Sequence, residues 1–477
     1  MKRLFLVDAI TLVFVGFLTL TAFCAAQPAI SLSPTGGPPG TTVAVSGRGF
    51  APHVQVNIYF DTKKEGLAVT NESGSFSRIN ITVPVKAQPG THWISAVQRA
   101  GRIAAQAQFL VHTDWSQYGF DANHDHSNPY ENELNAKTVG ELVTRWTYPS
   151  SGPPALVKNT LYFASGNDVY ALDSDSGQLV WQYTTGGFIN ATPAVSNGIL
   201  YVGTGDFNVY ALNAKTGALV WTYATGSYIV SSLVVSDGIV YAASDDNNVY
   251  ALNASTGALL WQYSTGGPIQ FAPAVDAGIV YIASSDGYIY ALNATSGALV
   301  WQFLTTPQYN GSTPTVVGGV LYMASADDNL YALNSSNGNL LWKTSLGNAP
   351  ADGCDAAVAN GMVYLGSGDS GVFYAIDAVS GKVRWTYTTT VPVYAASAVA
   401  NGVVYFGSGD QNFYALNAST GRLLWRYTTG AYFPSGIVAN GTVYLAGSVL
   451  YALDLPEDKE SQLGVVNKAP DITALGR

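Results

Sequence analysis

Seven tryptophans recur at Trp181, Trp221, Trp261, Trp301, Trp342, Trp385 and Trp425, at intervals of 40, 40, 40, 41, 43 and 40 residues. Each closes the same phrase, with Ala first, Gly seventh and Trp eleventh, as in Ala211, Gly217, Trp221 and again in Ala415, Gly421, Trp425. Self-similarity at a fixed period marks a repeat architecture, in which a unit buries its apolar face only by stacking on its neighbours. Within one copy, four short runs rich in Val, Ile and Tyr follow each other: Ala272–Val275, Gly278–Ala283, Tyr288–Leu292 and Leu299–Phe303. The pairs Asn197-Gly198, Asp237-Gly238, Asn360-Gly361, Asn401-Gly402 and Asn440-Gly441 fall between the first two runs, as a two-residue hairpin requires. Four strands in about 40 residues predict one blade of a β-propeller.

The two ends of the repeat set the blade count. A Tyr-Ala-Leu or Tyr-Ala-Ile phrase begins at Tyr170, Tyr210, Tyr250, Tyr290, Tyr331, Tyr374, Tyr414 and Tyr451, yet only the first seven of these eight lead into a Trp strand of their own. The missing strand lies upstream, at Leu142–Tyr148 with Trp146. The expectation is an all-β chain with an eight-bladed propeller over residues 142–455, its last blade closed by 142–148. Closure of this kind removes a strand edge that could pair with another chain.

On these phrases, and on the lead-in Asp114-Trp115 through Tyr118-Gly119 to Asp121 with Asn128-Pro129, residues 114–455 resemble the PQQ (pyrroloquinoline quinone) repeat propellers. The resemblance implies that Trp146, Trp181, Trp221, Trp261, Trp301, Trp342, Trp385 and Trp425 dock neighbouring blades. It does not by itself imply a quinone: the propeller of the outer-membrane β-barrel assembly machinery is a family precedent for the motif without one. PQQ alcohol dehydrogenases of this fold hold Ca²⁺ and quinone at the axis, often with an adjacent Cys-Cys disulfide. This chain has Cys24 and Cys354 only, and its repeats lack long insertions. No cofactor is therefore expected, with PQQ and calcium kept as the alternative.

The flanking segments read differently. Residues 27–112 alternate apolar and polar residues in Thr42–Ser46, Val54–Tyr59, Arg78–Val83 and Ala105–Val111, the pattern of a small β-sandwich. Through Ser33-Pro34, Gly37-Pro38-Pro39-Gly40 and Gly47-Arg48-Gly49-Phe50 this segment resembles Ig-like modules of the IPT/TIG type. Residues 1–26, with Lys2 and Arg3 before an apolar run and Cys24-Ala25-Ala26 at its end, read as an export signal. The placement implied is periplasmic, outer-membrane-associated or secreted, with no membrane span after signal removal. Residues 113–141 read as a lead-in linker and 456–477 as a polar tail.

Charge narrows the partners. The chain has 21 Lys plus Arg against 31 Asp plus Glu, for a net −10. An acidic body repels nucleic-acid phosphates, so no nucleic-acid partner is expected. A monomer that binds a protein or glycan is the expectation.

Four features carry possible chemistry. The loops entering the innermost strands hold Phe188, Asn190, Tyr228, Gln270, Phe271, Tyr309, Asn310, Asp352, Tyr394, Tyr432 and Phe433. Aromatic faces beside amides either stack a glycan or extended peptide, or fill space near the axis. Asp206, Asp246, Asp286, Asp327 and Asp410 each precede a phrase Tyr by four residues, and serve either as a carboxylate ring or as turn formers. The spacing of Asp121, Asn123, Asp125 and Ser127 matches the first half of a Ca²⁺ loop, but His126 stands where such a loop needs Gly. Cys354 has no His after residue 126 to activate it, which favours a buried structural role and no catalytic residue. The reading is a non-catalytic exported scaffold, with a PQQ- and calcium-dependent dehydrogenase and a carbohydrate-binding surface protein as alternatives.

Overall fold

The computed structural model describes residues 27–100, 103–149, 152–305, 311–347, 354–368, 370–394 and 396–456. Three expectations fall outside them: the export signal, the tail beyond Pro456, and the loop residues Tyr309, Asn310 and Asp352. No α-helix occurs among the described residues.

The strands following the lead-in form eight sheets with four propeller strands each. In seven of them the strands pair in chain order, as in Ala194–Ser196, Ile199–Gly203, Asn208–Asn213 and Leu219–Ala224. The other sheet draws on both ends of the repeat region, with Val143–Tyr148 pairing antiparallel to Leu450–Asp454. These sheets fit a β-propeller.

Local geometry explains why Ala, Gly and Trp recur together. Ala211 and Trp221 are cross-strand partners around one hairpin, so the small residue sits opposite the large one. At that hairpin Asn213 caps the turn through its side-chain oxygen, and Gly217 takes φ +72°, a left-handed conformation that disfavours a Cβ. A Cβ on Gly217 would also stand 2.7 Å from the Trp181 ring of the preceding sheet. The indole of Trp181 donates its N–H to the Ala214 carbonyl of that same hairpin at 2.9 Å. The Tyr162 hydroxyl donates to this carbonyl as well, at 3.0 Å. One carbonyl, with two lone pairs, thus receives two donors from the neighbouring sheet.

Residues 29–111 form a three-stranded and a five-stranded sheet around a core that includes Val43, Val45, Ile58, Phe60, Ile94 and Phe109. Hydrogen bonds tie this unit and its end to the rest of the chain, among them a reciprocal pair between Thr113 and Asn440, whose amide donates to the Thr113 carbonyl at 3.1 Å. The Asn132 amide donates to the Ala87 carbonyl at 2.8 Å. The Thr113 N–H donates to the Asn440 side chain at 2.7 Å.

Candidate functional site

An up-and-down sheet places its turns at two ends. One end carries the hairpins between the first two and the last two strands; the other carries the loops that lead from one sheet into the next.

On the loop end the structure brings together only part of the expected aromatic set. Phe188 and Tyr228 lie with ring centres 5.9 Å apart, and Tyr394 meets Phe433 edge-on at 5.2 Å. Phe188, Asn190, Tyr228, Gln270, Tyr432 and Phe433 are exposed, whereas Phe271 and Tyr394 are half-buried. Tyr432 is the most open of the large hydrophobic side chains here, at 72% of its surface. Sequence reasoning missed Phe207, which packs edge-on against Tyr228 at 5.0 Å. It occupies the neighbouring hairpin at φ +70°, a place normally left to small or polar residues.

The aspartates that precede the phrase tyrosines are engaged rather than free. Asp206, Asp246 and Asp286 each accept the hydroxyl of the Tyr four residues on at 2.6 Å, and Asp327 and Asp410 do so at 2.5 Å. The Gly226 and Gly266 N–H groups of the preceding loops each donate to the next carboxylate at 2.7 Å. Burial pushes the Asp246 carboxyl up, but the Tyr250 hydroxyl and the N–H groups of Asn248 and Gly226 outweigh it and hold it low. Asp206, Asp246, Asp286 and Asp410 also accept the backbone N–H two residues on, which is the turn-forming role.

The axis holds the feature that sequence reasoning missed. The lead-in, expected to be a linker, instead passes the innermost strands in turn and hydrogen-bonds to one residue of each. Trp115 exchanges both backbone hydrogen bonds with Leu156, at 2.8 Å. The Val195 N–H then donates to the Ser116 carbonyl at 2.7 Å, and the Val235 N–H to the Gln117 side chain at 3.0 Å. Val275, Val316, Val358 and Val399 donate in turn to the carbonyls of Ala122, Asn123, Asp125 and His126, at 2.6, 2.8, 2.9 and 2.8 Å. The Asn128 amide closes the circuit on the Val438 carbonyl at 2.9 Å. The inner edge of a blade presents unpaired backbone groups, and this segment satisfies one on every sheet. Most of the acceptors are main-chain carbonyls of ordinary residues, which leave no mark in a sequence.

His124 and His126 are buried, and each packs edge-on against Tyr118, at 5.5 and 5.1 Å between ring centres. Burial drives the His126 imidazole down to about 3, helped by His124 beside it. The Tyr118 hydroxyl donates to Asp355, whose other oxygen accepts the Thr313 N–H at 2.7 Å. Burial pushes this carboxyl up to about 6 against those bonds. Cys354 is buried beside it, its Sγ accepting the Gly368 N–H at 3.1 Å.

A quinone with calcium does not fit at this position. Among the described residues the open cleft beside Tyr118, His126, Thr192 and Ser397 has a volume of about 40 Å³, room for a few waters and not for a tricyclic ring system. Among the described residues no three His, Cys, Asp or Glu side chains converge to hold a cation. The half Ca²⁺ loop does not converge on a site either: the side-chain oxygens of Asn123 and Asp125 accept the backbone N–H groups of Asp125 and Ser127, and Asp121 Oδ1 is buried with no hydrogen-bond partner.

Comparison with known families matches residues 93–234, 225–355 and 338–457 to one profile, described as "Outer membrane protein assembly factor BamB". The chain belongs to this BamB family of PQQ-like repeats. No curated protein matches the sequence. Among solved structures, BamB from Moraxella catarrhalis is 22% identical with a TM-score of 0.56, covering 66% of this chain and 100% of its own. Quinohemoprotein alcohol dehydrogenase from Comamonas testosteroni is 18% identical with a TM-score of 0.62, over 72% of this chain and 82% of its own. A europium-containing methanol dehydrogenase is also 18% identical, with a TM-score of 0.61, over 75% and 95%. At such identities the likeness extends to the fold alone, which both the BamB and the dehydrogenase structures share with this chain. No helix of the described residues is long and apolar enough to cross a membrane.

Proposed function

We propose that this protein is an exported, non-catalytic propeller scaffold that presents its loop end to a protein partner at the cell envelope. In this reading the eight sheets are eight blades around one axis, the tryptophans dock each blade on the next, and residues 27–112 are an Ig-like spacer. Residues 1–26 direct export. The observation that carries the reading is the lead-in at the axis: it occupies the position where the resemblance to PQQ dehydrogenases implies a cofactor, and leaves about 40 Å³ among the described residues. Membership of the BamB family supports an assembly role over an enzymatic one. The exposed rings of Phe188, Tyr228, Tyr432 and Phe433 are suited to be anchors, since aromatic side chains bring large contact area at little entropic cost.

The second reading, a quinoprotein dehydrogenase, draws on the likeness to the alcohol dehydrogenase at a TM-score of 0.62. A glycan is the alternative ligand for the same aromatic pairs. Photo-crosslinking separates these readings. A benzophenone amino acid in place of Tyr432 or Tyr228, in cells, is expected to capture a discrete envelope protein. The same group in place of Val143, on the outer strand, is expected to capture none. Equal labelling from all three positions, or none from any, would overturn the scaffold reading.

A further inference from the structure

A groove of about 990 Å³ opens on the hairpin end, away from the loop-end aromatics. The turn between the first two strands is Gly318-Gly319 there, where other sheets place Asn197, Asp237, Asn360, Asn401 or Asn440 before the glycine. Its floor is the lead-in, with Asp125 and Glu131, and its walls are Val317, Tyr322 and Trp342. The rim carries Leu341 and Val379, exposed at 51% and 86%. The amides of Asn360 and Asn401 face it as well.

The chemistry of this lining selects its occupant. The described residues that line the groove include two carboxylates and no basic side chain. Glu131 is spent: its oxygens accept the N–H groups of Glu133, Leu134 and Gly441. Asp125 is engaged through one oxygen only, which accepts the Ser127 N–H at 2.8 Å. The groove is therefore of mixed lining, with Tyr322, Trp342, Leu341 and Val379 on its apolar part, amides on its polar part, and one Asp125 carboxylate oxygen without a hydrogen bond, and its volume is that of a ligand site. We propose that it binds a peptide segment presenting an arginine or lysine between aliphatic side chains, the cationic group pairing with Asp125 and the aliphatic groups covering Leu341 and Val379. The inference goes beyond the scaffold reading, because it concerns the opposite end of the molecule and holds whether or not the loop end has a partner.

Asp125 makes the binding pH-dependent in a predictable direction. Burial first, and the neighbouring Asp121 carboxyl second, push it up to about 7 against the Ser127 N–H. The groups facing it are Asp121 and His126 on its own segment and Glu131 beyond, with the neutral amides Asn360 and Asn401 from the hairpins. A cation binds the ionised form, so affinity rises as pH rises through about 7 and levels off above it.

The test is calorimetric titration of the whole protein with an acetylated, amidated tetrapeptide carrying one arginine among leucines. The matched control has the isosteric, uncharged citrulline at that position. The expected result is saturable binding of the arginine peptide that strengthens about tenfold from pH 6 to pH 8, with the citrulline peptide at least tenfold weaker. Asp125→Asn, which keeps the acceptor for Ser127, is expected to lose tenfold or more and to flatten the pH dependence. Val379→Lys, at an exposed rim position that folding does not need, is expected to weaken binding by charge repulsion. Equal affinity for the two peptides, unchanged binding by both variants, or no saturation at millimolar peptide would overturn the proposal. Tighter binding by a chain ending at Pro456 would overturn it too, assigning the groove to the chain's own C-terminal residues.

Discussion

The carbonyl that accepts both a tyrosine hydroxyl and an indole N–H recurs around the sheets. Ala254 receives Tyr201 and Trp221, Ala294 receives Tyr241 and Trp261, and Ser335 receives Tyr281 and Trp301. Ala378 and Ala418 take the same pairs from Tyr322 with Trp342 and from Tyr364 with Trp385. The series breaks at Tyr405, whose buried hydroxyl has no partner. The reason is topological: the following sheet is the composite one, whose Leu450–Asp454 and Val143–Tyr148 strands are not joined by a hairpin and so supply no such carbonyl. The two positions should respond oppositely to the same substitution. Tyr281→Phe is expected to cost about 1 kcal/mol of unfolding free energy, the net worth of a buried hydrogen bond. Tyr405→Phe is expected to be neutral or stabilising, because it removes an unsatisfied buried hydroxyl. Denaturant titration of the two variants checks this, and equal losses would contradict the account.

Among elements, the hairpins and the lead-in do different work. Gly257 and Gly238 have nearly the same left-handed φ, +72° and +77°. A Cβ on Gly257 would lie 2.7 Å from the Trp221 ring, while one on Gly238 meets nothing within 4 Å. Gly238→Ala should therefore cost only the conformational penalty, about 1–2 kcal/mol. Gly257→Ala should cost about 1–3 kcal/mol more, for displacing the indole. Paired melting curves read the difference directly. The lead-in is probed by pH. Unfolded, His124 and His126 take up protons near pH 6.5; folded, burial holds them at about 4, against the Pro314 carbonyl, and at about 3. Below pH 6.5 the unfolded chain thus binds more protons, and the stability these groups contribute falls as pH falls. Asp121, Asp125 and Asp355, pushed by burial up to about 6, 7 and 6, act in the opposite sense: their cost near neutrality is relieved in acid. Comparison with a His124→Gln, His126→Gln double variant cancels the carboxylates. Between pH 6 and pH 4 the parent is expected to lose ground by about 1.4 kcal/mol per pH unit per histidine. A pH-independent gap would place the imidazoles in water.

At the scale of the whole molecule, what was legible in the sequence is what repeats. The all-β character and the four-stranded units follow from Ala211, Gly217 and Trp221 and their copies, because cross-strand size matching, a left-handed turn and an aromatic plate each demand one residue type. The axial filling was illegible because Ser116, Ala122, Asn123, Asp125 and His126 act there through main-chain carbonyls, which any residue supplies. The aromatic loops were legible as positions but not as contacts: Phe188 finds Tyr228 while Tyr432 stands open, and Phe207 entered from another hairpin. On the scaffold reading proposed above, this axis belongs to the chain itself and not to a quinone. The direct test is titration of PQQ with Ca²⁺ into the purified protein, following quinone absorbance, melting temperature and dye-linked alcohol oxidation. The account predicts no saturable binding at micromolar quinone, no thermal shift and no turnover. Saturable binding with oxidation of an alcohol would contradict it and make the lead-in a displaceable cover over a catalytic pocket.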